Sequence, residues 1–373
     1  MGRRVTERAE PARTGPVYGQ KFNKNNSLNL IRLVLSAMVL FAHGFYLAGL
    51  GHGPEISGEN LGGWAVAGFF TISGYLITAS RFSNSFGTYL THRVARIYPA
   101  FIVCLLVTVL VFAPIAYVQQ NGGLKGYMST ETTPLRFLFS NMFLKMNVYD
   151  VSYTPANVPF AGSWNGSLWS LYFEFLCYLM IGFLGLFAVV RRSPWPMIAA
   201  FAVSVAVYAN LEALAPYLST SDFQLLARLA PFFLGGAVIR LLSPWIGLHW
   251  AAGLASLVLS LALILFVPVW GGQLASPLIT YFILWFSTVL PSPQLIKDND
   301  ISYGFYIYAW PVQQLLAMAG LHEAGIVLFD LGAVAGTAVL AVLSWLLVER
   351  PVMERVRKSG AKGFTAKQLP ATV

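Results

Sequence analysis

Arg32 and His43 stand eleven residues apart inside one apolar stretch, Leu28 to Leu50. Eleven residues make about three helical turns, so both side chains leave nearly the same helix face, about 16 Å apart along the axis. Ionisable groups at membrane depth are costly, and they face a protein interior or a water-filled cavity. A cation near one end of that face and an imidazole deeper on it suit a long anionic ligand with a reactive tip. An imidazole can serve as a general base or a nucleophile; a core histidine bonded to a neighbouring helix is the plainer alternative. Arg32 can hold a phosphate or pair with a carboxylate, or it can snorkel to the interface.

Three further sets of residues could share that chemistry. Arg93 and Arg96, at i and i+3, lie on one side of a helical turn and can clamp the phosphates of a nucleotide. Cytoplasmic charge excess alone would also account for them. Glu174, in the fourth apolar segment, is expected about 12 Å in from the outer end, a depth close to that of His43. It could orient the imidazole or pair with Arg228. Trp164, Trp169 and Tyr172 crowd the outer end of the same segment, where they can stack on sugar rings or form an interfacial belt.

The elements that position these residues are membrane helices. Of 373 residues, 57% are hydrophobic and 10% charged, against about 25% charged in a soluble domain. A bilayer can solvate that much apolar surface. The pattern predicts an all-α, polytopic integral membrane protein of about ten transmembrane helices. They fall near 28–50, 62–80, 97–118, 166–189, 196–218, 223–242, 249–267, 274–290, 301–320 and 325–347. With the N-terminus inside, only Lys125, Arg136 and Lys145 fall outside, while Arg32 and Arg228 lie within spans. All other lysines and arginines fall inside, which puts both termini in the cytoplasm. The net charge of +9 thus reports topology and excludes no membrane role, but it gives no nucleic-acid footprint.

Three stretches follow: a basic N-terminal tail over 1–27, a membrane domain over 28–349 and a basic C-terminal tail over 350–373, expected to be mobile. The first segment is long and lacks a cleavage site, so it reads as a retained span. Cys104 and Cys177 sit within spans as buried apolar side chains, with no disulfide framework or metal spacing. The outer loop from Gln119 to Asn165, with a helix-like run Pro134 to Met146, is long enough to be functional or disordered. No internal repeat is visible, which weakens an inverted-repeat transporter.

Several strings then align. Asn29-Leu30-Ile31-Arg32 with His43, followed by Gly68-Phe69-Phe70-Thr71-Ile72-Ser73-Gly74-Tyr75-Leu76-Ile77, resembles the opening of the membrane-bound acyltransferase family 3. Arg93-Val94-Ala95-Arg96-Ile97-Tyr98-Pro99 resembles its paired-arginine motif. Trp164 through Ser167-Leu168-Trp169-Ser170-Leu171 to Glu174 and Tyr178 is similar to its fourth-span signature. Ser302-Tyr303-Gly304-Phe305-Tyr306 and Glu349-Arg350-Pro351 resemble its last two spans. The resemblance covers residues 25 to 355, in the family's order. It implies O-acylation of a carbohydrate or other hydroxylated acceptor from cytoplasmic acyl-coenzyme A, acetyl-CoA being the expected donor. It implies that His43 is the catalytic histidine, Arg32 its partner, and Arg93 and Arg96 contacts of the coenzyme. Where many members carry a histidine before Trp-Pro, this chain has Ala309. No hydrolase-like domain is appended, so no handoff to a fused soluble partner is expected.

The expected location is the cell (inner or plasma) membrane, with membrane lipid as a partner and no metal. His43 and Glu174 are the expected catalytic pair. Arg32, Arg93 and Arg96 are assigned to the coenzyme, and Trp164, Trp169 and Tyr172 to the acceptor. The rival reading is a flippase or transporter for a lipid-linked glycan, which would move substrate without consuming a thioester.

Overall fold

Helices stand at all ten expected positions: α1 (Leu28–Leu47), α2 (Leu61–Ser83), α3 (Phe86–Asn121), α4 (Gly166–Leu184), α5 (Trp195–Ala209), α6 (Ser221–Leu242), α7 (Trp250–Phe266), α8 (Ser276–Val289), α9 (Ser302–Met318) and α10 (Ile326–Lys358). The computed structural model describes residue 22 and residues 26–217, 220–291 and 293–366, from 359 onward as backbone alone. The basic residues Arg3, Arg4, Arg8, Arg13, Lys21, Lys24 and Lys367 lie outside the described residues. Among the described residues, six helices (α1 to α4, α6 and α10) are long and apolar enough to cross a membrane. Helices α5, α7 and α8 are apolar but hold 15, 17 and 14 residues. At about 1.5 Å per residue they fall short of a hydrocarbon core about 30 Å thick. The protein is a polytopic, mostly helical membrane protein.

Side chains set the helix starts. Asn60 accepts from the Gly63 amide at α2, Ser85 from Thr88 at α3 and Thr220 from Phe223 at α6, each satisfying a donor the first turn leaves free. At α1, Ser27 donates to the carbonyls of Leu290 and Pro291, tying that end to the end of α8. Helices α2 and α6 meet backbone to backbone. A Cβ at Gly74 would lie 1.9 Å from the Phe233 carbonyl oxygen, and one at Gly236 would lie 2.1 Å from that of Thr71. Small residues let membrane helices approach this closely.

Two expectations need correction. From sequence, 81–96 reads as an inside loop with Pro99 in the first turn of the next span; instead α3 begins at Phe86, so Arg93 and Arg96 are helical and Pro99 stands in the helix interior. The stretch 350–358 is not a separate mobile tail, because α10 runs through a π-helical turn at Trp345–Glu349 and continues past Arg350. The loop 119–165, expected to be functional or disordered, is tied down: Tyr127 donates its hydroxyl to the Val109 carbonyl, and the Trp164 indole donates to Thr154 Oγ1. The fold is mostly helical. An antiparallel hairpin pairs Glu55–Ile56 with Glu59–Asn60 between α1 and α2.

Candidate active site

At the Arg32 end of α1, called the inner end after the expected orientation and the opposite end the outer, two guanidiniums converge on one carboxylate. Arg32 Nη1 lies 2.5 Å and Arg96 Nη2 lies 2.6 Å from Asp300 Oδ2. The other arm of Arg96 reaches Glu349 Oε2 at 3.1 Å, and Ser302 and Ser344 donate to Asp300 and Glu349. Burial opposes a charge on Asp300, yet Arg32 and Arg96 beside it outweigh burial and hold its carboxyl below the usual range. Arg93 forms no ion pair among the described residues, and its Nε is buried without a hydrogen bond. Arg32, Arg93 and Arg96, with His92 and Arg357, line a cavity of about 290 Å³. Cations outnumber acids there, so the cavity suits an anion.

The outer end holds His43. Its ring meets the Trp310 indole edge to face, with centroids 4.7 Å apart, and its Nδ1 is buried without a partner. Trp310 is fixed in turn: its Nε1 donates to the Ser163 carbonyl at 2.9 Å. Both residues line a second cavity of about 290 Å³ with Trp169, Tyr306, Glu59 and Arg228. Glu59 and Arg228 form an ion pair on its wall.

Between the two ends lies a chamber of about 40 Å³ that Glu174 lines with Arg32, Val66, Phe69 and Tyr306. Arg32 also lines the inner cavity, while Val66 and Tyr306 also line the outer one. The three spaces therefore form a series along the face of α1 that carries Arg32 and His43. Tyr306 stands at the last junction, its hydroxyl bonded to the Ser167 carbonyl and to Ser170.

Expected and observed positions differ for several residues. Glu174 neither touches His43 nor pairs with Arg228. Its Oε1 accepts from Ser73 at 2.7 Å and Tyr178 at 2.6 Å, while Arg228 takes Glu59. Trp169, and not Glu174, shares the cavity of His43. Glu174 lies five residues further along α4, about 7.5 Å deeper. Of the three aromatics expected at the acceptor, only Trp169 reaches the His43 cavity. Trp164 is fully buried against Phe112, and Tyr172 packs on Phe173 beneath Lys145. Ala309 is core, and its neighbour Trp310 is the one that meets His43.

Sequence reasoning missed Asp300, Trp310 and the Glu59–Arg228 pair. An acid in the polar run Asp298-Asn299-Asp300 reads as solvated, and a tryptophan in a span reads as apolar filling. Only the charge of Arg228 within a span demanded a partner, and it came from the hairpin.

The family described as an acyltransferase domain matches residues 25–349 of this chain. An O-acetyl transferase of Shigella phage Sf6 is 32% identical, covering 89% of this chain and 97% of the relative. Nodulation protein 10 of Rhizobium leguminosarum bv. viciae is 27% identical, over 91% and 96%. No solved structure matches. With a polytopic helical bundle, a family match across nearly its whole length and a relative this similar, the chain belongs to the membrane-bound acyltransferase family 3 and is an acyltransferase.

Proposed function

We propose that this protein transfers an acyl group from cytoplasmic acyl-coenzyme A to a hydroxyl of a carbohydrate or similar acceptor at the outer side of the cell membrane. Acetyl is the expected group, as in the name of the phage relative. In this reading all ten helices pass through the membrane and both termini are cytoplasmic. The observation that carries it is the series of cavities between Arg32 and His43.

Coenzyme A is anionic at its nucleotide end and reactive at a thioester an extended arm away. Arg93, free of an ion pair, and the Arg32–Arg96 couple offer charge-assisted hydrogen bonds to its phosphates. The arm then follows α1 toward His43, and the 40 Å³ chamber beside Glu174 must widen to let the thioester through. As general base, the imidazole takes the proton of the acceptor hydroxyl while that oxygen attacks the thioester carbon. The carbon–sulfur bond breaks, and the proton passes to the departing thiolate. Attack by the imidazole itself, through an acyl-histidine, is the alternative order of the same bonds. Among the described residues the Nδ1 of His43 has no hydrogen-bond partner, which leaves it available to the acceptor hydroxyl. Glu174 acts here as a positioning residue, bracing Ser73 and Tyr178 where the arm passes. A flippase would need neither a thioester nor an unpartnered imidazole, and the family assignment favours acyl transfer.

Proteoliposomes of defined orientation test this. With acyl-coenzyme A and acceptor on opposite faces, the parent protein should form product, and His43→Ala should form none while keeping its coenzyme affinity. Arg93→Ala combined with Arg96→Ala should weaken coenzyme binding instead. Efficient transfer with both substrates confined to one face, or full turnover by His43→Ala, would overturn the reading.

A further inference from the structure

We propose that the large cavity beside the His43 chamber is a subsite for a second sugar unit of an oligosaccharide acceptor, an inference that rests on the acyl-transfer reading above. That cavity measures about 560 Å³, within the roughly 300–1,000 Å³ of ligand pockets. It adjoins the chamber of His43, because Glu59, Gly63 and Arg228 line both. A chain whose reacting unit sits beside His43 therefore has somewhere to put the next unit.

The chemistry of its walls selects the ligand. A pyranose presents a C–H face and a rim of hydroxyls that both donate and accept. Trp64 offers an aromatic surface held in place, since its Nε1 donates to the Ile56 carbonyl at 3.0 Å. Gln273 is held by a 3.4 Å bond from its Nε2 to the Arg228 carbonyl, and its amide oxygen is an acceptor for hydroxyls. Arg228 has Glu59 as its ion-pair partner, while a guanidinium carries five N–H donors. Glu59 and Arg228 remain 25% and 32% exposed, so the pair stands on the cavity and is not packed away. Because the two charges cancel, the walls favour a neutral polar ligand over an anionic headgroup.

The test uses acceptors of one, two and three sugar units, prepared by partial hydrolysis of unacylated envelope glycan from cells lacking this chain. For the full-length protein, kcat/KM should rise when the second unit is added. Trp64→Ala and Gln273→Ala should each lower kcat/KM for two units at least tenfold. Both should leave single-unit transfer and thioester hydrolysis within twofold of the parent, and Trp64→Phe should recover most of the loss. Equal losses on one and two units, or no loss on either, would overturn the subsite. A parent protein that acylates none of the three would overturn the acyl-transfer reading itself, a separate result.

Discussion

Two guanidiniums, from Arg32 and Arg96, meet one oxygen of Asp300, and that carboxylate sets the charge of the inner end. Asp300→Asn should lower the melting temperature of detergent-solubilised protein, since hydrogen bonds between charged groups contribute about 1.5–3 kcal/mol each. The sign with pH follows from its lowered pKa. The folded protein holds this proton less tightly than the unfolded chain, so the contribution is complete above the ordinary carboxylate range. It is lost as pH falls through the lowered value. The gap between parent and variant should close in acid, and a gap unchanged with pH would refute the assignment. At this scale the sequence shows what is out of place in its surroundings. Arg32 and His43 are legible because a charge in an apolar run needs a reason. Asp300 and Trp310 are hidden because each is ordinary where it stands, and only the folded contacts distinguish them.

Hydrophobic runs reveal where a helix crosses apolar surroundings but not where it stops, because a helix can leave the membrane and continue. Helix α3 carries Arg93 and Arg96 ahead of its apolar part, and α10 carries the stretch after Glu349 behind its own. Polarity alone therefore makes the first read as loop and the second as tail. Close packing was equally hard to see, since Gly74 and Gly236 in sequence are only two of 33 glycines. At Gly236 a side chain would meet the Thr71 carbonyl at 2.1 Å, and backbone cannot rotate aside. Gly236→Val should therefore cost more than the roughly 1–3 kcal/mol of ordinary overpacking and give no monodisperse protein on size exclusion. Gly123→Ala, where nothing lies within 4 Å, should behave as the parent. A well-folded Gly236→Val would mean that α2 and α6 do not meet as described.

For the molecule as a whole, orientation is an expectation from charge asymmetry alone, and labelling tests it. Single cysteines at Asn121 and Tyr217 should react with an impermeant reagent on intact cells, while one at Leu295, 79% exposed, should react only after permeabilisation. The reverse pattern would overturn the topology. The meeting of distant segments was not readable: α9 brings Trp310 to His43 and Tyr306 to the middle of the bundle across more than half the chain. The same meeting explains why the His43 cavity and the small chamber beside Glu174 share Tyr306 as a wall.

The chamber at Tyr306 has a consequence for the cell and not only for the reaction. Two water-accessible cavities of about 290 Å³ approach each other through the bundle, yet the space between them is about 40 Å³. A continuous file of waters would conduct protons and discharge the membrane. Val66, Phe69 and Phe70 line this constriction, so in a bundle that spans the membrane it falls to these apolar side chains to protect the gradient that supplies the cell's energy.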